Sequence, residues 1–145
     1  MYTIDTSVWV NAFDRSELGY QISRKFLTQV KQQNIPVFVP TLVLVEVAAA
    51  ISRTRRRPEK AVAFARSIEV LPMVTLLSLD YVLAESSMKL GAQTYLRGAD
   101  AVFAAVALEH YCTLITLDHE QLTRLTGVLP TLTPTQALAN LPPAS

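Results

Sequence analysis

Short runs rich in β-branched and aliphatic residues recur at positions 2–4, 37–39, 74–77 and 113–117, and the stretches between them are longer and carry helical spacing. Strands that alternate with helices need crossover connections, and crossovers build a parallel sheet covered on both faces. The pattern therefore predicts a three-layer α/β/α sandwich around a central parallel sheet. Between the first two runs, Ile22, Phe26, Leu27 and Val30 fall on one side of a helix whose other side shows Arg24, Lys25, Gln29 and Lys31. Thr41 is placed to cap a helix over residues 42 to about 52, and Pro58 suits the first turn of the next, with Ala61, Val62, Ala65 and Ile68 inward. Asp80 opens a helix reaching about Tyr95, Gly98 interrupts, residues 99–110 form a helix with a wide apolar face, and residues 135–140 form a last one after Pro134. Residues 128–132 are short and contain Pro130, so their pairing as a fifth strand stays open. In such sheets ligands bind beyond the carboxyl ends of the strands, where the connections reverse direction.

The 145 residues are one domain's worth of chain, read as a single domain over 1–140 with a flexible tail over 141–145. A chain of this size hides about 70% of its unfolded surface and needs no disulfide or metal staple. Cys112, the only cysteine, excludes an internal disulfide and a thiolate zinc cage. The most apolar stretch, residues 37–51, is too short to span a bilayer and holds Pro40 and Glu46, so no membrane partner is expected. With no basic start and no apolar segment before a small-residue cleavage site, the expected location is the cytoplasm. Only 17% of residues are charged, against about 25% in average domains, and the mean hydropathy is +0.28. Apolar faces hidden by a partner, as in a homo-oligomer or an obligate complex, are expected from that shortfall.

Of the twelve acidic residues, Asp14, Glu17, Glu59, Glu69, Asp80, Glu85, Glu109 and Glu120 have polar or basic neighbours, open helices, or fall on wet faces, and read as ordinary surface. The other four do not. Asp5 ends the apolar run Tyr2-Thr3-Ile4, Glu46 sits between Val45 and Val47, Asp100 lies in Ala99-Asp100-Ala101-Val102-Phe103, and Asp118 closes Leu114-Ile115-Thr116-Leu117. Taking a carboxylate out of water costs several kcal/mol unless something compensates, and no Lys or Arg stands within two positions of any of them. Asp5 and Asp118 fall at strand ends, Asp100 in the first turn of a helix, and Glu46 about one turn into another, so all four can meet at one edge of the sheet. Carboxylates brought together must share protons or share a cation. Hard divalent ions such as Mg²⁺ answer this need with oxygen ligands, and the chemistry they support is phosphodiester hydrolysis. Ser7 and Thr116 could orient Asp5, Asp118 or a water. Singly, each acid also has a bland reading: Asp5 and Asp118 as helix N-caps, Asp100 as a dipole complement, Glu46 as the partner of a distant Arg.

These residues resemble the PIN domain and, within it, the VapC-type toxins of bacterial and archaeal toxin–antitoxin pairs. The likeness rests on Ile4-Asp5-Thr6-Ser7-Val8-Trp9-Val10, Pro40-Thr41-Leu42-Val43-Leu44-Val45-Glu46-Val47, Leu96-Arg97-Gly98-Ala99-Asp100-Ala101-Val102-Phe103-Ala104-Ala105-Val106-Ala107 and Leu114-Ile115-Thr116-Leu117-Asp118. It implies a five-stranded parallel sheet between helices and an endoribonuclease dependent on Mg²⁺ or Mn²⁺. It also implies a metal site of Asp5, Glu46, Asp100 and Asp118, a homodimer, and an antitoxin that covers the acidic groove. Where many members carry a bulky apolar residue shortly after the last Asp, this chain offers Leu122.

Arg97, three residues before Asp100, is a candidate for steering a phosphate or pairing with the acids. Arg53, Arg55, Arg56 and Arg57 make one basic spot that could contact RNA phosphates or be a solvated helix end. His110 and His119 have no metal-ligand spacing, and Trp9 and Phe13 read as core or dimer contacts. Two other functions fit less of the pattern. A haloacid-dehalogenase-like phosphatase needs a second Asp two positions after the first, where Ser7 stands, and a catalytically silent PIN-like binding module does not need the intact acid set.

Overall fold

The computed structural model describes residues 1–142. Strand β1 (Tyr2–Ile4) leads through α1 (Thr6–Phe13) and α2 (Tyr20–Gln32) to β2 (Val37–Pro40), and this through α3 (Leu42–Arg55) and α4 (Pro58–Glu69) to β3 (Val74–Leu77). Helices α5 (Tyr81–Thr94) and α6 (Gly98–Glu109) carry the chain back to β4 (Thr113–Ile115), and α7 (His119–Arg124) leads to β5 (Thr131–Leu132) and α8 (Pro134–Asn140). The five strands are all parallel in the order β3-β2-β1-β4-β5, with Tyr2 opposite both Val37 and Thr113. The first two crossovers step one way from β1 and the third steps back past it. Right-handed crossovers in opposite directions must use opposite faces, and α6 accordingly packs on β1, β2 and β4 with α5 over it, while α1 packs on α2 and α3, and α3 on α4. The step back places the switch point at the carboxyl ends of β1 and β4.

In the core, Ile4, Val37, Val39, Leu114 and Ile115 of the strands and Phe103 of α6 are all inaccessible to solvent. Helix α6 is buried without interruption from Ala101 to Ala107, and its four buried alanines let it lie close to the strands. Trp9 is buried and donates from Nε1 to the Ile4 carbonyl at 3.2 Å, while Phe13 stands edge-on to Phe64.

Several local expectations change. Thr41 does not cap α3: its backbone is already helical and its side chain makes no cap bond, so the first turn is carried by the chain leaving β2. Ile22 is 41% exposed because α2 turns Ser23, Phe26 and Val30 inward, where the Ser23 hydroxyl donates to Asn11 Oδ1 at 2.7 Å. Val62 is exposed because α4 buries a narrow seam of Ala61, Ala65 and Ile68. Regular pairing in the fourth strand stops at Ile115, which frees Thr116 and Leu117 to enter the site. The fifth strand does pair: Pro130 lies just outside it, and its carbonyl, which needs no N–H, accepts from Leu114. At the chain's end Leu141 packs on the core and the Pro142 carbonyl accepts from Gln33, whereas residues 143–145 of the expected tail lie outside the described residues.

Candidate active site

Asp5 follows β1 directly and caps α1. Its Oδ2 accepts from the Ser7 amide at 3.1 Å and from the Thr116 hydroxyl at 3.2 Å. Thr116 Oγ1 in turn accepts from the Asp118 amide at 3.0 Å, and Ser7 Oγ accepts from the Leu117 amide at 3.0 Å. The two hydroxyls thus lash the end of β1 to the end of β4. The Asp118 side chain caps α7, its Oδ1 accepting from the amides of Glu120 and Gln121 at 2.8 and 3.0 Å. The N-cap geometry is real for Asp5 and Asp118, and in each case it leaves the carboxylate's second oxygen pointed elsewhere: Asp118 Oδ2 meets Arg97, and Asp5 Oδ1 makes no hydrogen bond among the described residues.

Asp100 stands in the first turn of α6, where the helix N-terminus favours its charge. Gln121 Nε2 donates to its Oδ1 at 3.0 Å, and Arg97 Nε lies 3.3 Å from its Oδ2. The same guanidinium reaches Asp118 Oδ2 from Nη2 at 3.1 Å, so Arg97 bridges two of the acids while remaining largely exposed. Glu46, from α3, accepts from the Thr6 hydroxyl at 2.8 Å. Burial, with the like charge of Asp5 next in size, pushes the Asp100 carboxyl up to about 6. Arg97 opposes that rise, and Asp118 and Glu46 add to it. Glu46 is also raised, first by burial, with Thr6 and Arg97 lowering it and Asp5 raising it. Asp100 thus feels the other three acids and Glu46 feels Asp5, and no lysine or histidine lies among the groups that perturb these two.

All four isolated acids, together with Ser7, Thr116 and Arg97, therefore come to one edge of the sheet, at the switch point. Two members of the arrangement were not foreseen. Gln121 is 1% exposed and holds Asp100 in place, and Thr6 anchors Glu46. Thr6 adjoins Asp5, and Gln121 stands three residues into the turn that Asp118 opens, so proximity to the acids was the available signal. As they stand, no group of three or more His, Cys, Asp or Glu among the described residues could hold a metal ion. The basic spot divides: Arg55 is not at the site but pairs with Asp14, which is buried rather than ordinary surface and is held down to about 2, chiefly by that guanidinium.

An all-parallel α/β sandwich with an acidic crevice at its switch point defines the class, and comparison with known proteins supplies the family. The chain belongs to the PIN domain family, whose pattern matches residues 2–127. Among solved structures it is similar to VapC20 of Mycobacterium tuberculosis, described as a toxin that cleaves the sarcin-ricin loop, with 16% identity, a TM-score of 0.73, and 89% of this chain and 96% of that one covered. It is also similar to a toxin–antitoxin complex from Klebsiella pneumoniae, at 20% identity and TM-score 0.65 over 92% and 98% of the two chains. FitAcB from Neisseria gonorrhoeae gives 17%, 0.69, 93% and 99%. No curated protein sequence matches the chain.

Proposed function

We propose that this protein is a Mg²⁺- or Mn²⁺-dependent endoribonuclease, the toxin of a toxin–antitoxin pair, acting in the cytoplasm. The observation that supports it most is the convergence of Asp5, Glu46, Asp100 and Asp118 from four separate segments onto the switch-point crevice, where burial and mutual repulsion raise Asp100 and Glu46. The donor set suits a hard divalent ion: every candidate ligand is a carboxylate oxygen, and Mg²⁺ is commonly held by only one or two carboxylates with waters and a substrate phosphate completing its shell. A closed protein cage, absent among the described residues, is not needed. Asp5 and Asp100 are the principal candidate ligands, with Glu46 and Asp118 beside them. A bound ion supplies water activation and charge neutralisation at the attacked phosphorus.

The chain's own groups do the rest. Ser7 and Thr116 fix the Asp5 carboxylate through the bonds at its Oδ2 side and leave Oδ1 free to face the crevice. Gln121 fixes Asp100. Arg97, now paired with two acids, carries five N–H donors on an exposed stem and can turn them to a phosphate oxygen. RNA is the proposed substrate, and antitoxin the proposed partner. A groove between α1, α2 and α4, with Trp9, Leu27, Phe64 and Leu71 along its floor and Arg24 and Lys31 at its rim, suits a protein segment with apolar and acidic faces. A homodimer fits the apolar residues exposed on α5, Tyr81, Val82 and Met88.

The test is RNA cleavage with Mg²⁺ or Mn²⁺ by wild type and by Asp5→Asn. Metal-dependent cleavage by the wild type and a loss of at least 100-fold in the variant are expected, whereas equal cleavage by both would refute the reading.

A further inference from the structure

Helix α3 carries a second charged feature in line with Glu46. At 100° per residue, positions 46, 49 and 53 fall within about 60° of one another, so Glu46, Ala49 and Arg53 follow one stripe, and Arg56 caps the helix just beyond it. On that stripe the exposed Ala49 stands between the acid and Arg53. An open depression of about 430 Å³ is lined there by Ala49, Ser52, Arg53, Arg56 and Pro58. The other arginines near the acids are committed: Arg97 to Asp100 and Asp118, Arg55 to Asp14. The Arg53 and Arg56 side chains are exposed and make no ion pair or hydrogen bond among the described residues. Arg56 also closes α3 with a φ of 54°, in the left-handed region where glycine would sit at least cost.

We propose that Arg53 and Arg56 form a subsite for the backbone phosphates of the RNA strand being cut, reading charge and not bases; this rests on the nuclease reading above. Seven residues separate Glu46 from Arg53, about 10 Å of helix. A stacked strand advances about 3.4 Å per nucleotide, so the contacts fall about three nucleotides from the scissile phosphate. An acidic protein segment is the rival occupant. The stripe from Glu46 to Arg53, with Arg56 beside Arg53 on the same depression, favours the substrate, because one strand can lie over the acid and the guanidiniums.

The test titrates a single-stranded RNA of about twelve nucleotides into Asp100→Asn in chelator, so that nothing is cut, across a salt series. Two phosphate contacts contribute about 1.4 to the slope of log K against log salt for a single strand. The further replacement of Arg53 and Arg56 by Gln is expected to lower the slope by about that much, while their replacement by Lys keeps most of it. In the metal-loaded, otherwise native chain, the Gln pair raises KM for the long RNA, leaves kcat unchanged, and leaves cleavage of a trinucleotide unaffected. An unchanged slope with normal RNA binding overturns the subsite alone. Loss of binding to polyglutamate with RNA binding intact assigns the patch to a protein and also overturns it. No RNA binding by the parent overturns the nuclease reading and this inference with it.

Discussion

Asp100 shows what the crevice costs the fold. Its carboxyl is raised to about 6 against an ordinary 3.8, so its ionised form is disfavoured in the native state at neutral pH. A shift of two units corresponds to about 3 kcal/mol, and solvent screening at the partly exposed side chain reduces the figure to about 1 kcal/mol. Asp100→Asn is therefore expected to melt a few degrees above wild type in chelator, with the difference shrinking as pH falls from about 6, where native Asp100 takes up its proton, towards 3.8. Lower stability of the variant in differential scanning calorimetry would contradict this. Asp14 has the opposite sign. Its folded value of about 2 lies below the ordinary 3.8, so its pairing with Arg55 stabilises the fold above about pH 4 and fades as pH falls towards 2. Denaturant titrations should show Arg55→Gln weaker than wild type at pH 6 and nearly level with it near pH 2. The contrast marks what was readable in the residues themselves. Asp5, Glu46, Asp100 and Asp118 stand in apolar sequence and declare themselves, whereas Asp14 has polar neighbours and its partner lies 41 residues away. Gln121 and Thr6 gain their roles only when the strands bring α7 and α1 to the acids.

Helices α5 and α6 meet without a cushion. A β-carbon built on Gly91 would stand 3.0 Å from that of Ala101, one residue beyond Asp100. Glycine to alanine inside a helix ordinarily gains up to about 1 kcal/mol, but overpacking a tight contact costs about 1–3 kcal/mol. Gly91→Ala is expected to lose about 1 kcal/mol net, and Gly91→Ala with Ala101→Gly to relieve the clash in a double-mutant cycle read by thermal denaturation. A stabilising Gly91→Ala would show that the pair has room. Elements were legible wherever apolar spacing was regular, which is why α5 and α6 fall close to their expected bounds and α4 opens at Pro58 as expected. The fifth strand was not, because its two paired residues are too few to show alternation and the ladder with β4 alone defines it.

Across the whole molecule, the low charge fraction reappears as exposed apolar side chains, with Tyr81, Val82 and Met88 grouped on α5 and Tyr95 at its end. If two copies meet there, as proposed, Val82→Asp with Met88→Glu should halve the mass seen by light scattering and leave the circular dichroism spectrum unchanged. A wild-type monomer would remove the need for that face. The sheet order carries a different consequence. Strand β1, made before the other four, becomes the middle of the sheet, and the adjoining Asp5 gains the Thr116 hydroxyl and the neighbouring Asp118 only after more than a hundred further residues have been made. No truncated product ending before β4 can assemble the crevice, so an interrupted round of translation releases no chain with Asp5 and Asp118 brought together.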